Sequence, residues 1–154
     1  MSVRILAAAA VLGFTTPAGA QGPPGTPMKS GKASLTVGGK PVAFDRVQGS
    51  INDAGGYLMA GLSFGPATGD NFQVSVMVKG PGKVDLGQSV GNGVGYRKGG
   101  KIFQNEKGKG ACTVTLTKIS RTEIEGTADC PGMKELNGSG TESLSGAKFS
   151  ASAS

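Results

Sequence analysis

The chain has 154 residues, 28 of them glycine, with no tryptophan, no histidine and a formal net charge of +6. Without histidine the Ser-His-Asp mechanism is excluded. Abundant glycine with few helix formers points to turns and short strands.

The first twenty residues have the form of an export signal. Arg4 precedes the apolar run Ile5 to Phe14, and Ala18-Gly19-Ala20 supplies a small-x-small end. The run is too short to span a bilayer as a helix. Residues 1–20 are therefore expected to be a cleaved secretory signal peptide, leaving Gln21 first. No cysteine lies near that site, so lipid anchoring is not expected, and no other apolar run is long enough to cross a membrane. Removing Arg4 with the signal leaves fifteen basic against ten acidic residues, or +5. That charge permits attraction to anionic material without demanding it. The expected location is the periplasm or the exterior.

Residues 21–32, QGPPGTPMKSGK, hold almost no apolar side chains and read as a flexible tether. The domain is expected over 33–154. SLTV (34–37) and PVAF (41–44) flank Gly38-Gly39 as a hairpin. QGSI (48–51) ends at the turn signal NDAGG (52–56), and YLMAGLSF (57–64) follows. FQVSVMVK (72–79) alternates cleanly, with Phe72, Val74, Val76 and Val78 on one face and Gln73, Ser75, Met77 and Lys79 on the other. GPGK (80–83) turns into VDLG. A Gly-rich basic stretch, 91–110, contains the short strand KIF (101–103). Two longer strands lie between the cysteines, a Gly/Pro/Asn loop spans 131–140, and a last strand is centred on AKFSA (147–151). Eight to ten short strands with no helical period predict an all-β fold, a single antiparallel β-sandwich or small barrel.

Cys112 and Cys130 are the only cysteines, and in an exported chain they read as one disulfide. In CTVTLTK, Cys112, Val114 and Leu116 share a face; in EIEGTADC, Ile124, Gly126, Ala128 and Cys130 do. Folding these strands about Ser120–Thr122 sets Cys112 opposite Cys130, Val114 opposite Ala128 and Leu116 opposite Gly126. Both sulfurs then lie on the apolar side. Their spacing is not CxxC, so the pair is expected to be structural.

The segment GACTVTLTKISRTEIEGTADC, followed by SLSGAKFSA, resembles the C-terminal half of small exported bacterial β-sandwich proteins, and loosely the mycobacterial lipoprotein antigens. The resemblance covers about forty residues. It implies a non-catalytic envelope domain, here without the lipidated cysteine of the lipoproteins.

Several motifs suggest chemistry. GQSVG (87–91) has the G-x-S-x-G spacing around Ser89, but no histidine base exists and the following residues are not helical in pattern. GYRKGGKI (95–102) approaches a phosphate-binding loop, with Ile102 where Ser or Thr would hold magnesium. Asp53, Asp70 and Asn71 have calcium-ligand chemistry, but they sit in ordinary turn sequences. Glu123 and Glu125 point outward along one strand, which does not suit paired-carboxylate hydrolysis. The lack of tryptophan argues against a sugar-stacking platform. Asn137-Gly138-Ser139 is a glycosylation sequon.

No enzyme activity, metal or cofactor is expected. The functional candidate is the basic stretch with Arg97, Lys98, Lys101, Lys107 and Lys109, interleaved with Tyr96 and Phe103. Such a loop can hold an anionic polymer. Its alternative is a solvated loop whose lysines protect a sheet edge. The expected role is an exported binding or structural protein contacting an anionic envelope polymer or another envelope protein; nucleic acid is not an expected partner. Two further roles remain open, a carrier of an apolar ligand between the sheets and a protein inhibitor or assembly subunit.

Overall fold

Period-two patterning becomes antiparallel sheet almost throughout. The computed structural model describes residues 24–87, 91–105 and 112–154. Among these, twelve strands occur: β1 (Thr26–Pro27), β2 (Ser30–Val37), β3 (Lys40–Phe44), β4 (Val47–Ala54), β5 (Tyr57–Phe64), β6 (Asn71–Val78), β7 (Gly82–Val84), β8 (Gly93–Lys98), β9 (Lys101–Gln104), β10 (Thr113–Ile119), β11 (Glu123–Glu135) and β12 (Thr141–Ser152). The path of neighbours is β1-β4-β5-β6-β8-β9-β11-β12-β2-β3, with β10 flanking β11 and β7 flanking β10. All pairings are antiparallel. The fold is all-β and sandwich-like, as the patterning predicts.

Both ends of this path come from one stretch of chain. Strand β1 pairs with β4 and β2 with β12. Between them Met28 N donates to Gly49 O and Lys29 N to Ser152 O. Met28–Lys29 thus ties β4 to β12 across the two sides of the sheet, while β3 keeps a single neighbour. The interior is filled by rings from opposite sides. Phe64 and Phe72 stack with centroids 5.9 Å apart, and Phe149 from β12 lies 5.9 and 6.0 Å from them. Such ring pairs add to area burial.

Three expectations change. The tether boundary at residue 32 is too late, because the sheet begins at Thr26. Main-chain pairing needs no apolar side chain, so a Gly/Pro-rich composition conceals it; Met28, 6% exposed, is the one apolar anchor. The loop expected over 131–140 shrinks, since β11 continues to Glu135. The register shifts between Cys130 and Met133 accommodate Pro131, which a bulge tolerates. The described part of the basic stretch, 91–105, is also largely strand, with β8 and β9 joined by a turn at Gly99-Gly100, both at positive φ.

The stapled hairpin follows the expected register, with Val114 opposite Ala128 and Leu116 opposite Gly126, and Cys112 is bonded to Cys130. Cys130 is fully buried.

Candidate functional site

The basic candidates gather at the tip of the β8–β9 hairpin, and the tip is not left bare. Lys98 Nζ lies 2.6 Å from Glu142 Oε2, and Lys101 Nζ lies 3.2 Å from Glu135 Oε1. Arg97 Nη1 donates to Ala67 O at 3.3 Å, while Arg97 Nε is buried without a partner. Asp70 Oδ1 accepts from Gly99 N at 2.9 Å. Among the described residues three cations thus stand beside three carboxylates. The hydrogen bond from Lys98 holds the Glu142 carboxyl below its ordinary range, against the opposing effect of burial. The lysine contacts bind the tip to the ends of β11 and β12, where Leu136 N also donates to Ile102 O at 2.7 Å, and the Arg97 and Gly99 contacts bind it to the connection between β5 and β6.

Tyr96 and Phe103 are corrected from candidate contact rings to core residues, at 2% and 6% exposure. They alternate with Arg97 and Ile102 across the strand, so they point inward. Tyr96 packs against Phe44, and burial raises its phenol above the ordinary value. Lys107, Lys109 and Ser89 lie outside the described residues.

The other candidates have structural partners. Asp53 takes a two-pronged contact from Arg121, at 2.7 and 3.0 Å. Asn71, buried, donates to Pro66 O and Gly69 O and so closes its own turn. Glu123 pairs with Lys118 at 2.8 Å. Among the described residues no cluster of three or more His, Cys, Asp or Glu could hold a metal. Asn137 sits exposed at positive φ in the β11–β12 turn.

A larger feature lies beside the hairpin tip. The outer face of β4-β5-β6-β8-β9 forms an open groove of about 840 Å³. Its floor is a ladder of directly opposed residues: Gln48 faces Ser63, Ser63 faces Gln73, Gln73 faces Gly95, and Gly95 faces Gln104. A second row runs beside it through Ser50, Gly61, Ser75 and Gly93, of which Ser50 lies beyond the groove's lining. Every member of both rows is uncharged. Leu136, among the most exposed large apolar residues, and Asn137 line one end together with Lys134 and Glu135. Two buried asparagines fix the strands beneath. Asn105 Oδ1 accepts from Val94 N at 2.7 Å, and Asn92 Nδ2 donates to Asp85 O at 2.8 Å. Ser75 Oγ donates to Gly91 O at 2.6 Å, and Gln73 Nε2 to Asn71 Oδ1 at 2.8 Å.

Sequence reading missed this groove. Each strand carries only one or two of its ladder residues, and only register brings them together. The available signal was the polar face of 72–79, with Gln73 and Ser75, repeated weakly by Gly61 and Ser63 on the preceding strand.

Comparison with protein-family models, with curated proteins and with solved structures finds no match to this chain.

Proposed function

We propose that this chain is an exported, non-catalytic binding protein of the bacterial envelope, and that it holds its ligand against the outer face of β4-β5-β6-β8-β9. The observation that carries the reading is the open groove, whose floor presents amide and hydroxyl side chains and glycines brought together from five strands. Hydrogen-bonding groups on a rigid sheet are a preorganised binding surface. The signal-like first twenty residues and the disulfide support export. The likeness of the C-terminal hairpin to small exported bacterial β-sandwich proteins supports a non-catalytic envelope role.

The carrier reading loses ground because Phe64, Phe72 and Phe149 occupy the space between the facing strands. An anionic partner held at the hairpin tip is the second reading. It rests on Lys98 and Lys101, whose side chains remain 49% and 62% exposed despite their ion pairs, together with Lys107 and Lys109.

One experiment separates the two readings. The protein is applied to envelope fractions from its source at low and high salt. Beside it run Gly61→Trp, which fills the groove, and a variant with Arg97, Lys98, Lys101, Lys107 and Lys109 all changed to Glu. Retention that survives high salt and is lost only in Gly61→Trp supports the groove. Salt-sensitive retention lost only in the charge-reversed variant transfers the function to the hairpin tip.

A further inference from the structure

We infer that the groove binds a neutral, hydroxyl-rich polysaccharide chain lying across the strands. This inference rests on the groove being the binding surface and specifies its ligand class. The first argument is charge. The protein carries a net positive charge, yet none of the nine ladder positions is charged. A groove shaped for phosphate or carboxylate would concentrate Arg or Lys along its floor. Here Lys134 lies only at one end, beside Glu135, whose carboxylate already contacts Lys101.

The second argument is hydrogen-bond type. Gln48 and Gln104 each carry a carbonyl acceptor and an NH₂ donor, Gln73 keeps its carbonyl and one N–H beside its bond to Asn71, Ser63 carries a hydroxyl, and Ser75, which donates to Gly91 O, keeps acceptor capacity. This set matches a ligand whose groups both donate and accept, as sugar hydroxyls do. The sheet's own N–H and C=O groups are committed to its ladders, so side chains alone must serve the ligand.

The third argument is spacing. Successive ladder residues stand on neighbouring strands, about 4.8 Å apart, so five strands span about 19 Å. An extended β-1,4-linked chain of pyranose rings repeats at close to that inter-strand distance. An extended peptide advances about 3.3 Å per residue and falls out of step with the ladder. Gly61 supplies room, with nothing within 4 Å of where a Cβ would stand, whereas at Gly93 that point lies 3.2 Å from Asn105 Oδ1 and at Gly95 3.4 Å from Phe103 O. A ring can therefore lie flat over Gly61 without an aromatic platform, although the chain has no tryptophan.

The test titrates the ¹⁵N-labelled full protein with a soluble neutral β-glucan, with alginate as the acidic polysaccharide, and with an uncharged Ala/Ser peptide. Spectra follow the side-chain NH₂ signals of Gln48, Gln73 and Gln104. The expected result is that the neutral glucan shifts all three, with an affinity changing less than about twofold between 0.05 and 0.5 M salt. Gly61→Trp is expected to lose at least about tenfold in affinity while melting at the same temperature. Shifts with alginate or the peptide alone overturn the ligand class. So does failure of the glucan while envelope retention still depends on Gly61, and in that case the groove itself stands. Envelope retention indifferent to Gly61→Trp overturns the groove reading and this inference with it.

Discussion

Two glycines in mid-strand, Gly126 and Gly61, mark opposite halves of the molecule. Neither has a positive φ, so backbone freedom explains neither. A Cβ at Gly126 would meet Thr115 O at 2.7 Å, Phe149 Cζ at 2.8 Å and Leu116 Cδ2 at 3.0 Å. A Cβ at Gly61 would meet nothing within 4 Å. In the stapled half, glycine is required because the core has filled the space. In the groove-bearing half, the space outside the sheet is simply open. A strand glycine therefore signals close approach in one place and vacancy in another, and only the packing opposite distinguishes them.

The largest test of this contrast removes the staple. Changing Cys112 and Cys130 together to Ala opens a link between residues 18 apart in sequence. On the chain-entropy model the loss is about 3 kcal/mol, measured as a lower urea midpoint, with a steeper slope as the freed chain unfolds to a more open state. The next test stays in the same half. Gly126→Val drives methyl groups into Phe149, Leu116 and a carbonyl, and overpacking of this kind costs about 1–3 kcal/mol. A Gly126→Val protein as stable as the parent would show that β11 shifts freely over the core, contrary to the packing described.

The stapled half was legible because its information is local. Alternation in 112–118 and 123–130 fixes which residues face inward. A short connection fixes the register, and two cysteines on one face confirm it. The later part of β11 and the β8–β9 hairpin were harder to read. Pro131 and Gly132 suggest a loop, yet Met133 is fully buried and draws the strand onward. Tyr96 and Phe103 sit among lysines in sequence, and strand alternation separates them in space. The groove was least legible, because Gln48 and Gln104 become parts of one ladder only after five strands pair in order. That information lies in long-range register, which periodicity alone does not carry.

A smaller effect is expected at the boundary between the halves, where Lys98 and Glu142 join the hairpin tip to β12. Because Lys98 is half exposed, a double-mutant cycle with Lys98→Met and Glu142→Gln is expected to give a coupling below about 1 kcal/mol. Its pH dependence has a definite sign. The Glu142 carboxyl is held below its ordinary value of 4.5, so the unfolded chain takes up its proton first as pH falls. The contribution is complete above that value and disappears as the pH drops through the lowered one. The stability gap between the parent and Glu142→Gln, measured by urea unfolding, should therefore be present at about pH 7 and absent at about pH 2. A gap that persists in acid would assign the effect to packing of the side chain rather than to its charge.

The smallest expected change is the most direct counterpart to Gly126→Val. Gly61→Val places the same two methyl groups on the outer face of β5, opposite Ser50 and Ser75. The backbone there is ordinary strand, so no strain is introduced. Valine also favours a pleated surface more than glycine does, which offsets the exposure of its methyl groups. Stability is expected to stay within about 0.5 kcal/mol of the parent, while ligand retention falls because the methyls occupy the groove floor. The paired result, a stable protein that no longer binds, would separate this glycine from those that merely permit folding. A Gly61→Val protein destabilised as much as Gly126→Val would mean that the β5 outer face cannot accept a side chain even where space is open. The glycine would then serve the twist of the sheet, and the groove would be a by-product of that twist.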